Sequence, residues 1–142
     1  MQGHNLEMNA ICLAWLVALV STLGALFIGE VMGQTPCVLC WYQRIAMFPL
    51  AVILGIAAYL DDTAIRRYVL PISIGGGLIA LWHSLLFLGV VPEKIEPCEA
   101  GGPSCRGADQ TVFGVIPLPF LSLAAFAAIS FLLLYPRQKR LS

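Results

Sequence analysis

The residues from Cys37 to Leu60 read CVLCWYQRIAMFPLAVILGIAAYL. From Ile45 onwards this stretch contains no Asp, Glu, Lys or Arg, but its 16 residues would form a helix only about 24 Å long. A helix that crosses the hydrocarbon core of a bilayer needs about 20 residues. The helix is therefore expected to extend back past Arg44, which places a charge inside the edge of the membrane. Such a charge is either functional or reaches the interface by snorkelling.

The composition of the whole chain indicates a membrane protein. Of its 142 residues, 59% are hydrophobic and 11% are charged, whereas about a quarter of the residues in an average soluble domain are charged. The formal net charge is zero, and no basic segment carries interleaved aromatic residues, so nucleic acid is not an expected partner. This length accommodates one domain, residues 1–142.

Three further stretches lack charged side chains, and each is about long enough to cross a bilayer. They are Met8–Gly29, Tyr68–Val91 and Gln110–Pro136. The first lacks the basic start and the cleavage pattern of a signal peptide, so we expect it to be retained. The sequence therefore predicts an all-α integral membrane protein, a four-transmembrane-helix bundle. The expected spans are residues 8–29, 40–60, 68–91 and 114–136, and the expected outer loops are residues 30–40 and 92–113.

Basic residues are distributed unequally between the two ends of the predicted bundle. Five lie at one end, namely Arg66, Arg67, Arg137, Lys139 and Arg140, and three at the other, namely Arg44, Lys94 and Arg106. Because cytoplasmic segments carry the excess of Lys and Arg, both termini are predicted to be cytoplasmic. The four cysteines of the outer loops would then lie where disulfides form and persist.

Cys37 and Cys40 form a C-x-x-C motif at the expected outer start of the second helix. The positive end of the helix dipole favours a thiolate in the first turn, and a nearby cation favours it further. Arg44 follows Cys40 by four residues and therefore shares its helical face. The arrangement suits a thiolate that reacts with an electron acceptor, and it places a cation where a reduced, anionic acceptor would form.

A second pair, Cys98 and Cys105, lies in the long outer loop with six residues between its members. It is either a structural disulfide that closes the loop or the partner of the first pair in a relay of disulfide exchange. Cys12 is the fifth cysteine, and we expect it to be an inert apolar side chain near the cytoplasmic end of the first helix.

His83 lies eight residues before Val91, about 12 Å below the outer end of the third predicted helix. A histidine at this depth either bonds to a neighbouring helix or lines a ligand cavity. We favour the cavity, since an acceptor near Arg44 would need proton donors. Three aromatic residues are either interfacial or walls of a pocket for a flat ring, namely Trp41, Tyr42 and Trp82.

Three other functions are compatible with this pattern. The outer cysteines could form a thiolate metal site, but no outer histidine accompanies them in the sequence. A reductase that carries electrons outward would need a thiol pair at the cytoplasmic face, where only Cys12 is available. A structural membrane protein with two disulfides would tolerate changes at Arg44 and His83.

The stretch from Pro36 to Pro49, PCVLCWYQRIAMFP, resembles the DsbB family of quinone-dependent disulfide oxidases, most closely its short BdbC-like branch. The likeness covers the whole chain: four spans, an outer C-x-x-C with an arginine four residues on, and a second outer pair. It implies a multi-pass protein of the bacterial cell (inner) membrane. It also implies a DsbA-like or BdbD-like thioredoxin-fold partner on the outer side and a membrane quinone, ubiquinone or menaquinone, as cofactor.

The resemblance also implies a role for each site residue. Cys98 would accept the attack of the reduced partner, and Cys105 would then exchange with the disulfide between Cys37 and Cys40. Cys37 would be attacked, which leaves Cys40 as the thiolate facing the quinone, and Arg44 would hold a quinone oxygen. The expected catalytic residues are Cys37, Cys40, Cys98, Cys105 and Arg44, the expected quinone-binding residues are Arg44, Cys40 and His83, and no metal ligand is expected.

Overall fold

The computed structural model describes residues 2–35, 37–90 and 111–141, with side chains up to residue 136. Four long helices occupy most of these residues. They are α1 (Gln2–Leu26), α2 (Val38–Leu60), α3 (Arg66–Phe87) and α4 (Leu118–Leu141). Each contains a segment long and apolar enough to cross a membrane. The predicted all-α fold with four transmembrane helices is therefore confirmed.

The helices form a ring in which each packs against two neighbours. Helices α1 and α3 both pack against α2 and α4. In lipid, close contact between helices depends on van der Waals packing, and small residues allow it. Gly76 of α3 accommodates the ring of Phe126, and Gly55 of α2 accommodates the indole of Trp15. At these two contacts between helices, an aromatic ring therefore packs directly against a glycine.

Local backbone features explain where the helices begin and end. Cys37 is the N-cap of α2, and its sulfur accepts a hydrogen bond from the backbone N–H of Cys40. Helix α3 ends in a Schellman motif at Gly89, which has a φ of 77°. Helix α4 begins at Leu118, later than the expected residue 114, because a short antiparallel hairpin precedes it. Its strands are β1 (Thr111–Val112) and β2 (Ile116–Pro117).

A π-helical turn, Phe27–Val31, follows α1 directly. Such turns are rare and occur frequently at functional sites. After it, Gln34 donates a hydrogen bond of 3.1 Å from Nε2 to the carbonyl oxygen of Thr111. The segment between α1 and α2 is thus attached to the hairpin before α4, at the same end of the bundle as Cys37.

The opposite end of the bundle contains a buried ion pair. Arg66 lies 3.5 Å from Glu7, measured from Nη1 to Oε1, and it also donates a hydrogen bond to the carbonyl oxygen of Leu133. Arg66 is the first residue of α3 rather than a loop residue, and its side chain connects three helices.

Candidate functional site

The two cysteines of the C-x-x-C motif lie together at the start of α2. Their sulfurs are 3.2 Å apart, and the backbone N–H of Cys40 lies 3.4 Å from the sulfur of Cys37. The Cys40 thiol, by donating to Cys37, lowers the pKa of Cys37 to about 4, and His83 lowers it further, although burial acts in the opposite direction. In the reduced pair, the negative charge therefore resides on Cys37.

His83 lies beside this pair, in the interior of the bundle. Its Nε2 is 3.8 Å from the sulfur of Cys37, and its Nδ1 is 3.0 Å from Nε2 of Gln43. The histidine is fully buried and Gln43 is almost fully buried. The contact with Gln43 fixes the orientation of the imidazole, which directs Nε2 towards the sulfur.

Sequence reasoning did not identify Gln43. It lies three residues after Cys40 and one before Arg44, in the first turns of a helix that is apolar from Ile45 onwards. A buried amide in such a position needs a hydrogen-bonding partner. This spacing was the signal that could have revealed it, because residues three apart lie on one helical face.

A cavity of about 330 Å³ lies next to the cysteine pair, between α1, α2 and α4. Three of its polar lining residues lie within five positions of one another on α2, namely Cys40, Gln43 and Arg44. Most of the remaining wall is apolar, and it is formed by Val20, Ala25, Ile28, Met47, Phe48, Leu118, Leu121, Ala125 and Phe126. Ser21, Gln34, Thr35 and Ser122 also line it, so the cavity combines a polar region beside the sulfur of Cys40 with a largely apolar remainder.

Arg44 is held against the end of α1. Its Nη2 donates a 2.8 Å hydrogen bond to the carbonyl oxygen of Ala25, and its Cζ lies 5.4 Å from the ring centroid of Trp41. Gly29, in the π-helical turn, leaves room for the guanidinium, because a Cβ at that position would be 2.9 Å from Nη2. Gly29 is a second residue that sequence reasoning missed, and no local signal marks it.

The structure places the expected quinone-binding residues in two groups. Cys40 and Arg44 line the same cavity, whereas His83 is not among its lining residues. His83 contacts the cavity wall through Gln43 and the cysteine pair through Cys37. His83, which we expected at the acceptor site, therefore contacts Cys37 and Gln43 rather than the cavity itself.

Several other predicted residues lie away from the cavity or outside the described part of the chain. Three aromatic residues do not line it and are partly exposed, namely Trp41, Tyr42 and Trp82. Cys12 lies within α1. The second pair, Cys98 and Cys105, falls outside the described residues.

Comparison with known proteins gives consistent results. The family described as disulfide bond formation protein DsbB matches residues 7–136. The chain is 55% identical to the probable disulfide formation protein of Metapseudomonas resinovorans, over 97% of this chain and 96% of that protein. It is 46% identical to disulfide bond formation protein C of Bacillus subtilis, over 82% of this chain and 83% of that protein. It is 44% identical to the probable disulfide formation protein of Deinococcus radiodurans, over 89% of this chain and 88% of that protein. No solved structure matches the chain significantly.

Proposed function

The chain belongs to the DsbB family of disulfide bond formation proteins, and on that premise we propose that it is a quinone-dependent thiol oxidase. It reoxidises a DsbA-like or BdbD-like thioredoxin-fold protein by disulfide exchange and passes the electrons to ubiquinone or menaquinone. The observation that carries the proposal is that Cys40, one sulfur of the C-x-x-C pair, lines the same cavity as Arg44. A redox pair, a cation and an apolar chamber thus adjoin one another.

The cavity has the chemistry that a quinone requires. Its volume of about 330 Å³ lies at the lower end of the range of small-molecule sites, about 300–1,000 Å³. Arg44 and Gln43 would face the oxygens of the head group, and the apolar walls would cover the ring and the start of its tail. When bound, the quinone supplies a lipid-soluble acceptor for two electrons and two protons.

Electrons enter through the second cysteine pair. A thiolate of the reduced partner attacks Cys98, which breaks the disulfide and releases Cys105. The second partner thiol then displaces Cys98, so that the partner leaves with a disulfide and the loop pair holds two electrons and two protons. Each exchange proceeds by thiolate attack on a sulfur of a disulfide.

The electrons then pass to the pair beside the cavity. Cys105 attacks Cys37 and releases Cys40 as a thiolate next to the cavity. Cys98 then attacks the sulfur of Cys105 and displaces Cys37, which re-forms the loop disulfide and leaves Cys37 and Cys40 reduced. When these two form their disulfide again, two electrons leave towards the acceptor. Arg44 stabilises negative charge on the acceptor side.

In this proposal, His83 acts on the sulfur of Cys37, and Gln43 orients His83. With Nε2 3.8 Å from the sulfur of Cys37, the imidazole stabilises the thiolate that Cys37 carries whenever the pair is reduced. Gln43 keeps the ring in place through its 3.0 Å contact with Nδ1. Because His83 is fully buried, this contact is shielded from bulk water.

The direction of electron flow is consistent with known potentials. A DsbA-like partner has a potential of about −120 mV, so its electrons need a more oxidising acceptor, and each 30 mV of difference corresponds to about 1.4 kcal/mol for a two-electron couple. We further propose that the chain lies in the bacterial inner membrane with both termini cytoplasmic. The cysteine pair and the first residue of α3, Arg66, lie at opposite ends of the bundle, as this orientation requires.

Quinol formation by purified protein, given reduced partner and quinone, tests the function. We expect Cys40→Ser to abolish it, since no disulfide can form next to the cavity. Arg44→Ala should raise the KM for quinone by about 10-fold or more, because a hydrogen bond to a charged group contributes about 1.5–3 kcal/mol. Cys12→Ala is the matched cysteine control and should leave the rate unchanged. Full activity in the Cys40→Ser protein would refute the mechanism.

A further inference from the structure

Three metal-ligating side chains converge in the interior of the bundle. The sulfurs of Cys37 and Cys40 and a ring nitrogen of His83 all lie within 4.8 Å of one another. The two sulfurs are 3.2 Å apart, and the sulfur of Cys37 lies 3.8 Å from Nε2. In the sequence no histidine is near either cysteine pair. The packing of α3 against α2 creates this set of ligands.

The geometry is close to that of a tetrahedral zinc site. With zinc–sulfur and zinc–nitrogen distances of about 2.3 and 2.0–2.1 Å, a tetrahedral site separates two sulfurs by about 3.8 Å and a sulfur from a nitrogen by about 3.6 Å. The 3.8 Å contact between Cys37 and His83 is about 0.2 Å longer than this sulfur–nitrogen separation. Cys40 needs to move by about 1 Å, and it lies at the edge of the cavity, where a change of side-chain rotamer has space.

The surroundings of the three ligands also suit a metal ion. The backbone N–H of Cys40 points at the sulfur of Cys37, so it supports a charged sulfur. Gln43 holds Nδ1 of His83 at 3.0 Å. Rotation of its amide by 180° would present oxygen to an N–H at Nδ1, which leaves the lone pair of Nε2 directed towards the sulfurs. Metal-bound histidines usually have such a partner for the second ring nitrogen.

We infer that the reduced protein binds one thiophilic divalent cation, Zn²⁺, through Cys37, Cys40 and His83. Two thiolates neutralise the charge of the ion, so its burial does not leave an uncompensated charge among the helices. A fourth position is left for water. Binding forms two zinc–sulfur bonds and one zinc–nitrogen bond, releases the thiol proton of Cys40 and transfers no electrons.

The oxidation state of the pair controls this site. A disulfide has no thiolate to offer, so only the reduced protein binds zinc. The bound ion occupies the sulfur electron pairs that are needed to form the disulfide between Cys37 and Cys40. Zinc therefore arrests the enzyme in its reduced state. This inhibition rests on the proposed function, whereas the binding itself does not.

Metal titration of the reduced protein tests the binding. Cys98→Ser and Cys105→Ser are introduced first, so that the outer pair does not contribute thiolates. We expect one Zn²⁺ per reduced protein, no binding by the disulfide form, and intense tetrahedral thiolate bands when Co²⁺ replaces zinc. Equal binding by the reduced and disulfide forms would overturn the inference. A Co²⁺ spectrum without these bands would overturn it as well.

Substitution of single ligands provides a second test in the same protein. His83→Ala and Cys37→Ser should each weaken zinc binding by about 10-fold or more, because removal of even an outer partner of a metal ligand costs about 10–100-fold. Cys12→Ala is the matched control and should bind as before. Unchanged affinity in a folded His83→Ala protein would show that the imidazole is not a ligand, which contradicts the site.

Turnover of the full chain separates this inference from the proposed function. Zinc added to the reduced enzyme should stop quinol formation, and a chelator should restore it. If quinol forms normally and zinc neither binds nor inhibits, the zinc site is refuted and the oxidase stands. If zinc binds but no quinol forms in metal-free buffer, the oxidase is refuted and the zinc site stands.

Discussion

The substitution Gly29→Ala tests whether the position of Arg44 controls quinone binding. The new Cβ would lie 2.9 Å from Nη2, 3.5 Å from Nη1 and 3.6 Å from Cζ of Arg44. Ordinary contact requires about 3.5 Å, so the guanidinium must move by about 0.6 Å or more. That shift acts directly on the 2.8 Å hydrogen bond from Nη2 to the carbonyl oxygen of Ala25.

The magnitude of the Gly29→Ala effect follows from that hydrogen bond. A hydrogen bond to a charged group contributes about 1.5–3 kcal/mol, and loss of about half of it corresponds to about a 4- to 12-fold weaker quinone affinity. Because Arg44 is flexible and its end can move, the fold should remain intact. The thermal midpoint should be unchanged or slightly raised, since alanine is favoured over glycine in a helix by up to about 1 kcal/mol.

The assay for Gly29→Ala measures the rate of quinol formation over a range of quinone concentrations, with reduced partner in excess. We expect KM to rise by about 4- to 12-fold while the thermal midpoint stays within a few degrees. Gly75→Ala is the matched control, because a Cβ at Gly75 meets no atom within 4 Å. A KM in Gly29→Ala within twofold of that control would refute the view that Arg44 must be seated against α1.

Two further predictions concern the thiol pair and the bundle core. In the reduced protein, thiolate absorption from Cys37 should persist down to about pH 4, and Cys40→Ala should shift its loss to higher pH by removing the donating thiol. Since this pKa is depressed by folding, its contribution to the stability of the reduced form is complete above the ordinary thiol pKa of about 8.5 and decreases as the pH falls towards 4. Gly76→Ala should lower the thermal midpoint by an amount equivalent to about 1–3 kcal/mol, because the new Cβ overlaps the ring of Phe126. Gly75→Ala is again the control, and equal midpoints would contradict the packing described.

The amino-acid sequence by itself determined the four helices and the position of the C-x-x-C motif. Hydrophobic length is a local property, so four apolar stretches suffice to predict four membrane-spanning helices. The short charge-free segment after Arg44 required α2 to begin near Cys37, and in the structure it begins at Val38. The i, i+4 relation placed Cys40 and Arg44 on one helical face, and both line the cavity.

Only the tertiary structure decided what surrounds those residues. His83 is more than 40 positions from either cysteine of the pair in the sequence, and its distance to Cys37 depends on how α3 is rotated and packed against α2. The role of Gly29 likewise depends on packing. Its lack of a Cβ leaves room for the guanidinium only because the side chain of Arg44 reaches from α2 to the end of α1. Periodicity fixes which side of a helix a residue occupies, but it does not specify which helix faces that side. The cavity between α1, α2 and α4 and the site formed by two sulfurs and an imidazole are products of that packing.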